Sequence, residues 1–405
     1  MFRPLEGRRV IDLTQVLAGP YCAYQLAILG ADVIKVEPPE GGDWARAGGA
    51  DAALGQAGMG TGYLTQNAGK RSLAVDLKTP EGRDIVLALA DTADVFLENF
   101  RPGTAERLGL GFEAIRARNP AIVYASLSAY GQDGPMGARP AYDHVIQAVS
   151  GIMQLTGDPA TLPNKVGAPY IDYATGLNGA LAVLAALMER DRTGAGQQVD
   201  VAMLDTAMLL MASHMTVEAV TGVAPKASGN AAFSGSPASG VFETADGLLA
   251  LAANNDRQFP RLARAIGRPD LVDDPRYRTL NDRLEHAAAF KAELQSAFRQ
   301  ATAAEWEDRL AAADVPAGRV RNLGETMALP QMAAREVMAA YDLPGDVEGK
   351  PRRIAAPTLG FKANGERPRA AGSPPALGQD TDAVLAGLGR SPAEIARLRA
   401  AGVIR

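Results

Sequence analysis

The amino-acid sequence predicts an α/β protein: a doubly wound, Rossmann-like large domain with a smaller α+β domain. Three observations carry that expectation. Strand-like and helix-like segments alternate through the first half, a stretch rich in Gly, Ser, Ala and Pro then breaks the pattern, and a hairpin signature follows. With 405 residues and 47% apolar side chains, the chain has enough material for two hydrophobic cores.

Arg9 to Leu13 reads as a short buried strand, Pro20 to Leu29 as a helix closed by Gly30, and Ala31 to Glu37 as the next strand. Together they make a βαβ unit. The pattern repeats with a strand at Ser72 to Asp76, a helix opened by Thr79 and Pro80, and a strand at Asp94 to Glu98. Helical Phe112 to Arg118 leads into a further strand, Ala121 to Ser126. In a parallel sheet of this kind, ligands sit beyond the carboxyl ends of the strands, here the loops Thr14 to Gly19, Asn99 to Gly103 and Ser126 to Gly134.

Helical segments flank Gln197 to Ala202, and the character then changes at Val223 to Gly240. Gly240 to Thr244 and Leu248 to Ala252 read as a hairpin about Asp246-Gly247, the mark of a second domain. The expected division is residues 1–222, 223–330, and an arm with a carboxyl-terminal segment at 331–405. Thr302 with Glu305 forms a capping box in the second domain, and Ser391 with Glu394 opens a last helix. Between them, Leu343 to Pro375 is proline-rich and aperiodic, so it reads as an irregular arm running across another surface.

Composition narrows the function. Net charge is -5 and no Lys/Arg block stands out, which argues against a nucleic-acid partner. The lone Cys22 excludes an intrachain disulfide, and His144, His214 and His286 have neither zinc spacing nor a Ser or Cys partner for a hydrolase triad, so no metal is expected. The first residues lack a basic stretch followed by an apolar one, and the apolar runs read as shorter than a membrane span, so a cytoplasmic, membrane-free protein is expected. Gly58 to Gly62 superficially suggests a dinucleotide loop, but no strand precedes it; it reads as a flexible loop.

Asp172 is the residue most suggestive of chemistry. It stands in Gly167-Ala-Pro-Tyr-Ile-Asp-Tyr-Ala-Thr-Gly176, ahead of the apolar run Leu177 to Met188. An acid stripped of water by apolar neighbours, at an element boundary a ligand can reach, suits a covalent nucleophile. Asp is equally a preferred helix cap, and the local pattern leaves both roles open.

Short segments spread along the chain carry a resemblance. They include Leu17-Ala-Gly-Pro20, Leu29-Gly-Ala-Asp-Val-Ile-Lys-Val-Glu37, Asp76-Leu-Lys-Thr-Pro-Glu-Gly82, Glu98-Asn-Phe-Arg-Pro-Gly103, Arg107-Leu-Gly109, Gly131-Gln-Asp-Gly-Pro135, Tyr142-Asp143 and Leu377-Gly-Gln-Asp-Thr381. In order and spacing the chain resembles the class III CoA-transferases of the CaiB/BaiF family. The resemblance implies that Asp172 is the catalytic aspartate and that acyl-CoA and a free carboxylic acid are the partners, with no cofactor beyond the CoA carried. It places Val16, Ala18, Lys78, Asn99, Phe100, Arg107 and Arg139 around CoA, although Pro140 holds the place closest to the family's basic position. Gln15, Leu17, Tyr142, Asp143, Ser234 and Gly235 would line the acyl site. It further implies an interlocked homodimer in which the tail returns to the large domain after threading the partner.

Departures from the family's pattern shape the substrate expectation. Oxalate-specific members carry His and Gln where this chain has Gln15 and Leu17, and a tetraglycine lid where it has Ser234-Gly-Ser-Pro-Ala-Ser-Gly240. A small branched or unsaturated dicarboxylate is the closer likeness. Racemases of the family carry Gly-His-Asp where this chain reads Ala141-Tyr-Asp143, which makes an acyl-CoA epimerase the second reading and a non-catalytic CoA-binding protein the third.

Overall fold

The computed structural model describes residues 2–232 and 234–405. Six strands, β1 (Arg9–Asp12), β2 (Asp32–Glu37), β3 (Arg71–Ala74), β4 (Val95–Glu98), β5 (Val123–Ser128) and β6 (Gln197–Ala202), pair in parallel in the order β3-β2-β1-β4-β5-β6. Strand order reverses between β1 and β4, and a doubly wound sheet opens a crevice at that point. The sequence pattern left Gln197–Ala202 unassigned. As an edge strand it hides only one face for most of its length, so Val199 and Val201 alternate with the exposed Gln198 and Asp200 in too short a run to stand out.

Successive side chains of β1 feed opposite layers. Val10 packs with Val33, Val95 and Val123 beneath α1 (Ala18–Ile28), whereas Ile11 joins Ile34, Phe96 and Tyr124 against Ile85 and Leu89 of α2 (Pro80–Ala90) and Ile115 of α3 (Phe112–Arg118). As the sequence suggests, Thr79 caps α2, its Oγ1 accepting the Gly82 N–H at 3.1 Å. Three more helices complete the chain around the crevice: α4 (Asp143–Ser150), α5 (Tyr170–Thr193) and α6 (Met203–Leu210). The α1 and α5 axes approach closely because α5 carries glycine at the contact. A Cβ on Gly176 would lie 2.7 Å from the Ala18 carbonyl oxygen, and one on Gly179 would lie 3.2 Å from Cys22 Sγ.

α5 corrects one expectation. Its 24 residues are long and apolar enough to cross a membrane, whereas the apolar runs read as too short. The sequence reading began the run after Asp172, but the helix starts before it. Here Ile171, Gly179, Val183 and Leu187 are buried in protein, as in a core helix.

The chain folds as two compact units: Met1–Ser150 with Val166–Thr216 and Pro330–Arg405, and Gly151–Lys165 with Val217–Leu329. The excursion of Gly151–Lys165 into the second unit has no counterpart in the sequence division. In that unit β7 (Ser239–Glu243), β8 (Leu248–Ala252) and β9 (Ala317–Arg319) form an antiparallel sheet over Phe259, Phe290, Phe298 and Trp306. The Thr302–Glu305 capping box opens α7 (Ala303–Ala312), whose Trp306 Nε1 donates to the Phe298 carbonyl at 2.7 Å.

The supposed irregular arm contains a strand. β10 (Met338–Asp342) and β11 (Arg353–Pro357) form an antiparallel pair, and Tyr24 Oη donates to the Pro357 carbonyl at 2.7 Å. A single short strand flanked by prolines gives no period to read. α8 (Pro392–Ala400) opens at the expected Ser391–Glu394 capping box, and Ile395, Leu398 and Val403 join the layer under α2. Gly58 to Gly62 is not a loose loop either: Met59 and Gly60 are buried, and a Cβ on Gly60 would meet the Gly48 carbonyl oxygen at 2.0 Å.

Candidate active site

The loop after β1 is held by buried charge. Lys35 Nζ lies 2.7 Å from Asp43 Oδ2 and donates to the Thr14 carbonyl at 2.8 Å, while Lys70 Nζ lies 2.9 Å from Asp12 Oδ2. Burial pulls the Lys70 ammonium down to about 8 against the opposing pull of Asp12. Asp12 Oδ1 accepts the Thr14 N–H at 2.9 Å, and Asp43 Oδ1 accepts the Val16 N–H at 3.1 Å. Asn99 braces the same loop from the end of β4, exchanging two 2.8 Å bonds with the Gln15 backbone. Val16 is thereby forced to φ 74°, a left-handed conformation costly for a β-branched residue. Such strain persists only where surrounding contacts over-determine it, as they do here.

Asp172 lies in the first turn of α5, half-buried, and its carboxylate accepts no hydrogen bond among the described residues. Burial raises its pKa to about 7, with the nearby Asp143 charge adding to the effect. Tyr21 of α1 packs edge-on against Tyr173 at 4.8 Å between ring centres, which fixes the adjacent turn.

Asp172 opens onto a cavity of about 300 Å³ at the strand-order reversal. Of the residues singled out from sequence, Gln15, Val16, Leu17, Ala18, Asn99, Phe100, Arg139, Tyr142 and Asp172 all line it. Lys78 does not. It is exposed on a neighbouring cavity of about 550 Å³ whose wall also includes Gln15 and Phe100, with Leu13, Val36, Pro38 and Leu108. Arg107 lines neither cavity, because its guanidinium donates to Thr104 Oγ1 at 2.7 Å within its own helical turn. Asp143 is buried behind the wall rather than on it. Ser234 and Gly235 belong to the second unit, where Ser234 Oγ donates to Asn254 Oδ1 at 2.7 Å. His144 is exposed and outside the wall.

The cavity also uses residues that the sequence did not single out. Arg101 and Pro102 come from the loop after β4, Ser128 and Ala129 from the end of β5, and Met203 from the start of α6. Arg101 sits in a loop expected to carry ligand, next to Asn99 and Phe100. Met203 was hidden because the strand before it went unread. Glu98, just behind that loop, is buried, with its pKa raised to about 7 by desolvation; its Oε2 accepts the Phe100 N–H at 2.8 Å.

Residues 5–381 match the model of CoA-transferase family III. The chain is 41% identical over 340 residues to a succinate–glutarate CoA-transferase of Agrobacterium fabrum, covering 82% of this chain and 84% of the relative. It is 35% identical to the succinyl-CoA–D-citramalate CoA-transferase of Chloroflexus aurantiacus over 99% of this chain and 98% of that one. Among solved structures, a CaiB/BaiF family protein from Brucella suis superposes with a TM-score of 0.83 at 32% identity, covering 96% of this chain and all of the other.

Proposed function

The chain belongs to CoA-transferase family III, and from that premise we propose that it moves CoA between small dicarboxylic acids through covalent intermediates on Asp172. The observation that carries this reading is the unpaired, half-buried carboxylate of Asp172 facing a cavity at the sheet's switch point. Desolvation makes such a carboxylate basic and a better nucleophile than one in water. Asp172 attacks the thioester carbonyl of the donor; the carbon–sulfur bond breaks, the CoA thiolate leaves, and a mixed anhydride remains. The thiolate then attacks the aspartyl carbonyl, expelling the donor acid and leaving an aspartyl-CoA thioester. The acceptor carboxylate attacks that thioester to form a second anhydride, whose acyl carbon takes the thiolate back and restores Asp172. No proton is gained or lost around the cycle, and no further cofactor is needed. An anhydride keeps the thioester's free energy, so transfer stays reversible provided water is excluded.

Val16, Ala18, Asn99 and Phe100 would hold the CoA end, with Lys78 on the adjoining cavity available to a phosphate. Arg101 and Arg139 on the wall suit the second carboxylate of a dicarboxylic acid, and two relatives are named for transfers among such acids. The test is to incubate the protein with a panel of acyl-CoAs and free acids and detect exchanged thioesters by mass. Exchange among succinate-like acids supports the reading; hydrolysis without exchange, or exchange confined to monocarboxylates, removes it.

The same premise supports an interlocked homodimer. Leu177, Leu181 and Met188 lie on one side of α5 and are 52%, 64% and 75% exposed in the single chain, an apolar stripe suited to a second copy. Sedimentation at nanomolar concentration should find no folded monomer.

A further inference from the structure

The helix that carries Asp172 has no side-chain cap of its own, because Pro169 occupies the N-cap position. Asp143, 8% exposed on α4, supplies the cap from outside. Its Oδ2 accepts the backbone N–H of Ile171 at 2.9 Å and that of Asp172 itself at 3.1 Å, while Oδ1 accepts Gln147 Nε2 at 2.5 Å. Gln147 is fixed in turn, its Oε1 accepting the Val166 N–H at 2.8 Å. A neutral cap would satisfy the same N–H groups. A buried carboxylate does something more, since it sets a full negative charge against the positive end of a helix dipole. Left alone, that dipole favours an ionised first-turn acid and so makes it a weaker base and nucleophile.

We propose that Asp143 is a positioning residue for the transfer reaction: it anchors the first turn of α5 so that Asp172 faces the cavity, and its charge cancels the helix dipole that would blunt the Asp172 carboxylate. This rests on Asp172 being the nucleophile. Among the described residues, no other carboxylate accepts the N–H groups that open α5. Arg101, Arg139 and Tyr142 share the wall, and Tyr173 of α5 and Tyr21 of α1 have their pKa raised by burial. Asp200 of β6 accepts the Gln132 N–H, and its carboxyl is raised by burial and, in part, by Asp205 of α6.

Two variants separate charge from geometry. In Asp143→Asn, the amide oxygen takes the place of Oδ2 and accepts the helix N–H groups, but the amide nitrogen then faces Gln147 Nε2. Asp143→Asn/Gln147→Glu repairs that mismatch: the amide donates to the new carboxylate, which still accepts the Val166 N–H. Every hydrogen bond returns while the charge moves off the helix terminus. The measurement is single-turnover release of the donor acid from an acyl-CoA as a function of pH, with Asp172→Ala alongside and circular dichroism to check folding. The double variant is expected to bind acyl-CoA within about twofold of the parent, to react about three- to tenfold more slowly on the alkaline plateau, and to show its ionisation limb shifted down by about one pH unit. A parental rate and an unshifted limb in the folded double variant would overturn the proposal and leave Asp143 as a cap alone. If the double variant does not fold, the single Asn variant gives the same readout, and an unshifted limb there has the same meaning. Retained turnover in Asp172→Ala would instead sink the nucleophile assignment itself.

Discussion

The two walls of the cavity are built in opposite ways. Along the wall after β1, Thr14 to Val16 is bound by backbone contacts to Asp12, Asp43, Lys35 and Asn99, all in turn paired or buried, and Val16 is held at φ 74°. Along the wall after β5, Arg139 and Tyr142 are exposed, and their side chains make no hydrogen bond among the described residues. The first wall is bonded in place; the second is open to solvent. In a reaction where CoA is common to every turnover and the acid varies, a fixed wall suits the constant part and an open wall the acid. The contrast also separates the effects of mutation: the fixed wall should respond in stability, the open one in substrate preference.

The largest effect is expected at Asp172, where the walls meet. Asp172→Ala should lower turnover at least about a thousandfold in a folded protein, and no hydroxylamine-sensitive acyl-enzyme should form. In the parent, the rate of donor-acid release from an acyl-CoA should rise with pH as the carboxylate ionises, with a midpoint near the raised value of about 7. The sign for stability is the reverse. A carboxyl whose folded pKa is raised binds protons more tightly when folded, so the fold loses stability as pH climbs from about 4 through about 7. Asp172→Asn removes that cost, and its melting temperature should exceed the parent's at pH 8 but not at pH 4. A parent profile flat between pH 5 and 8 would show that Asp172 is not the desolvated group described.

Next comes the fixed wall itself. Asp43→Ala strands the fully buried Lys35 ammonium and frees the Val16 N–H, a change of the kind that costs about 3–5 kcal/mol. Urea unfolding should record that loss. Arg139→Ala, on the other wall, should stay within about 0.5 kcal/mol of the parent. Equal losses from the two substitutions would erase the contrast between the walls.

How much of this was legible in the sequence follows from the same contrast. Short apolar runs and capping signals mark the buried elements of the parallel layer, and so Arg9–Asp12 and Asp32–Glu37 appear within two residues of their expected ends, and Pro80–Ala90 opens where Thr79 and Pro80 place its start. β6, half-exposed at the edge, and β11, isolated among prolines, offer no comparable pattern. The cavity's loops were foreseeable because a doubly wound sheet puts ligands at its carboxyl ends. The clamp was not. Lys35 meets Asp43 and the Thr14 carbonyl, and Lys70 meets Asp12 from 58 positions away, only once the sheet is formed, and a buried Lys in a strand reads locally as a surface charge. For the same reason Asp143 was expected on the acyl site's wall rather than beneath it, because its partners, the N–H groups of Ile171 and Asp172, belong to a helix that begins 27 residues later.

Smaller effects sharpen the contrast by substrate. Arg139→Ala should raise KM for a dicarboxylic acceptor about tenfold while leaving KM for a monocarboxylate of equal length within about twofold, since the lost guanidinium serves only the second carboxylate. A uniform rise in both would move Arg139 to the CoA end of the site instead.

The smallest effect is expected at Lys78, which lies on the neighbouring cavity and is exposed. An exposed ammonium meeting a phosphate is worth little in water, and salt screens it further. Lys78→Ala should therefore weaken CoA binding only about three- to fivefold at low ionic strength, and the difference from the parent should vanish near 0.5 M salt. Dephospho-CoA separates the possible contacts: if Lys78 meets the 3′-phosphate, parent and variant bind dephospho-CoA alike, whereas a contact with the pyrophosphate preserves the difference. Arg107, turned toward Thr104, should show no salt-dependent loss unless ligand draws it away from that bond. A loss at Arg107 larger than at Lys78 would mean that the second cavity's rim rearranges on binding, and that the site has a moving part on the side of its rigid wall.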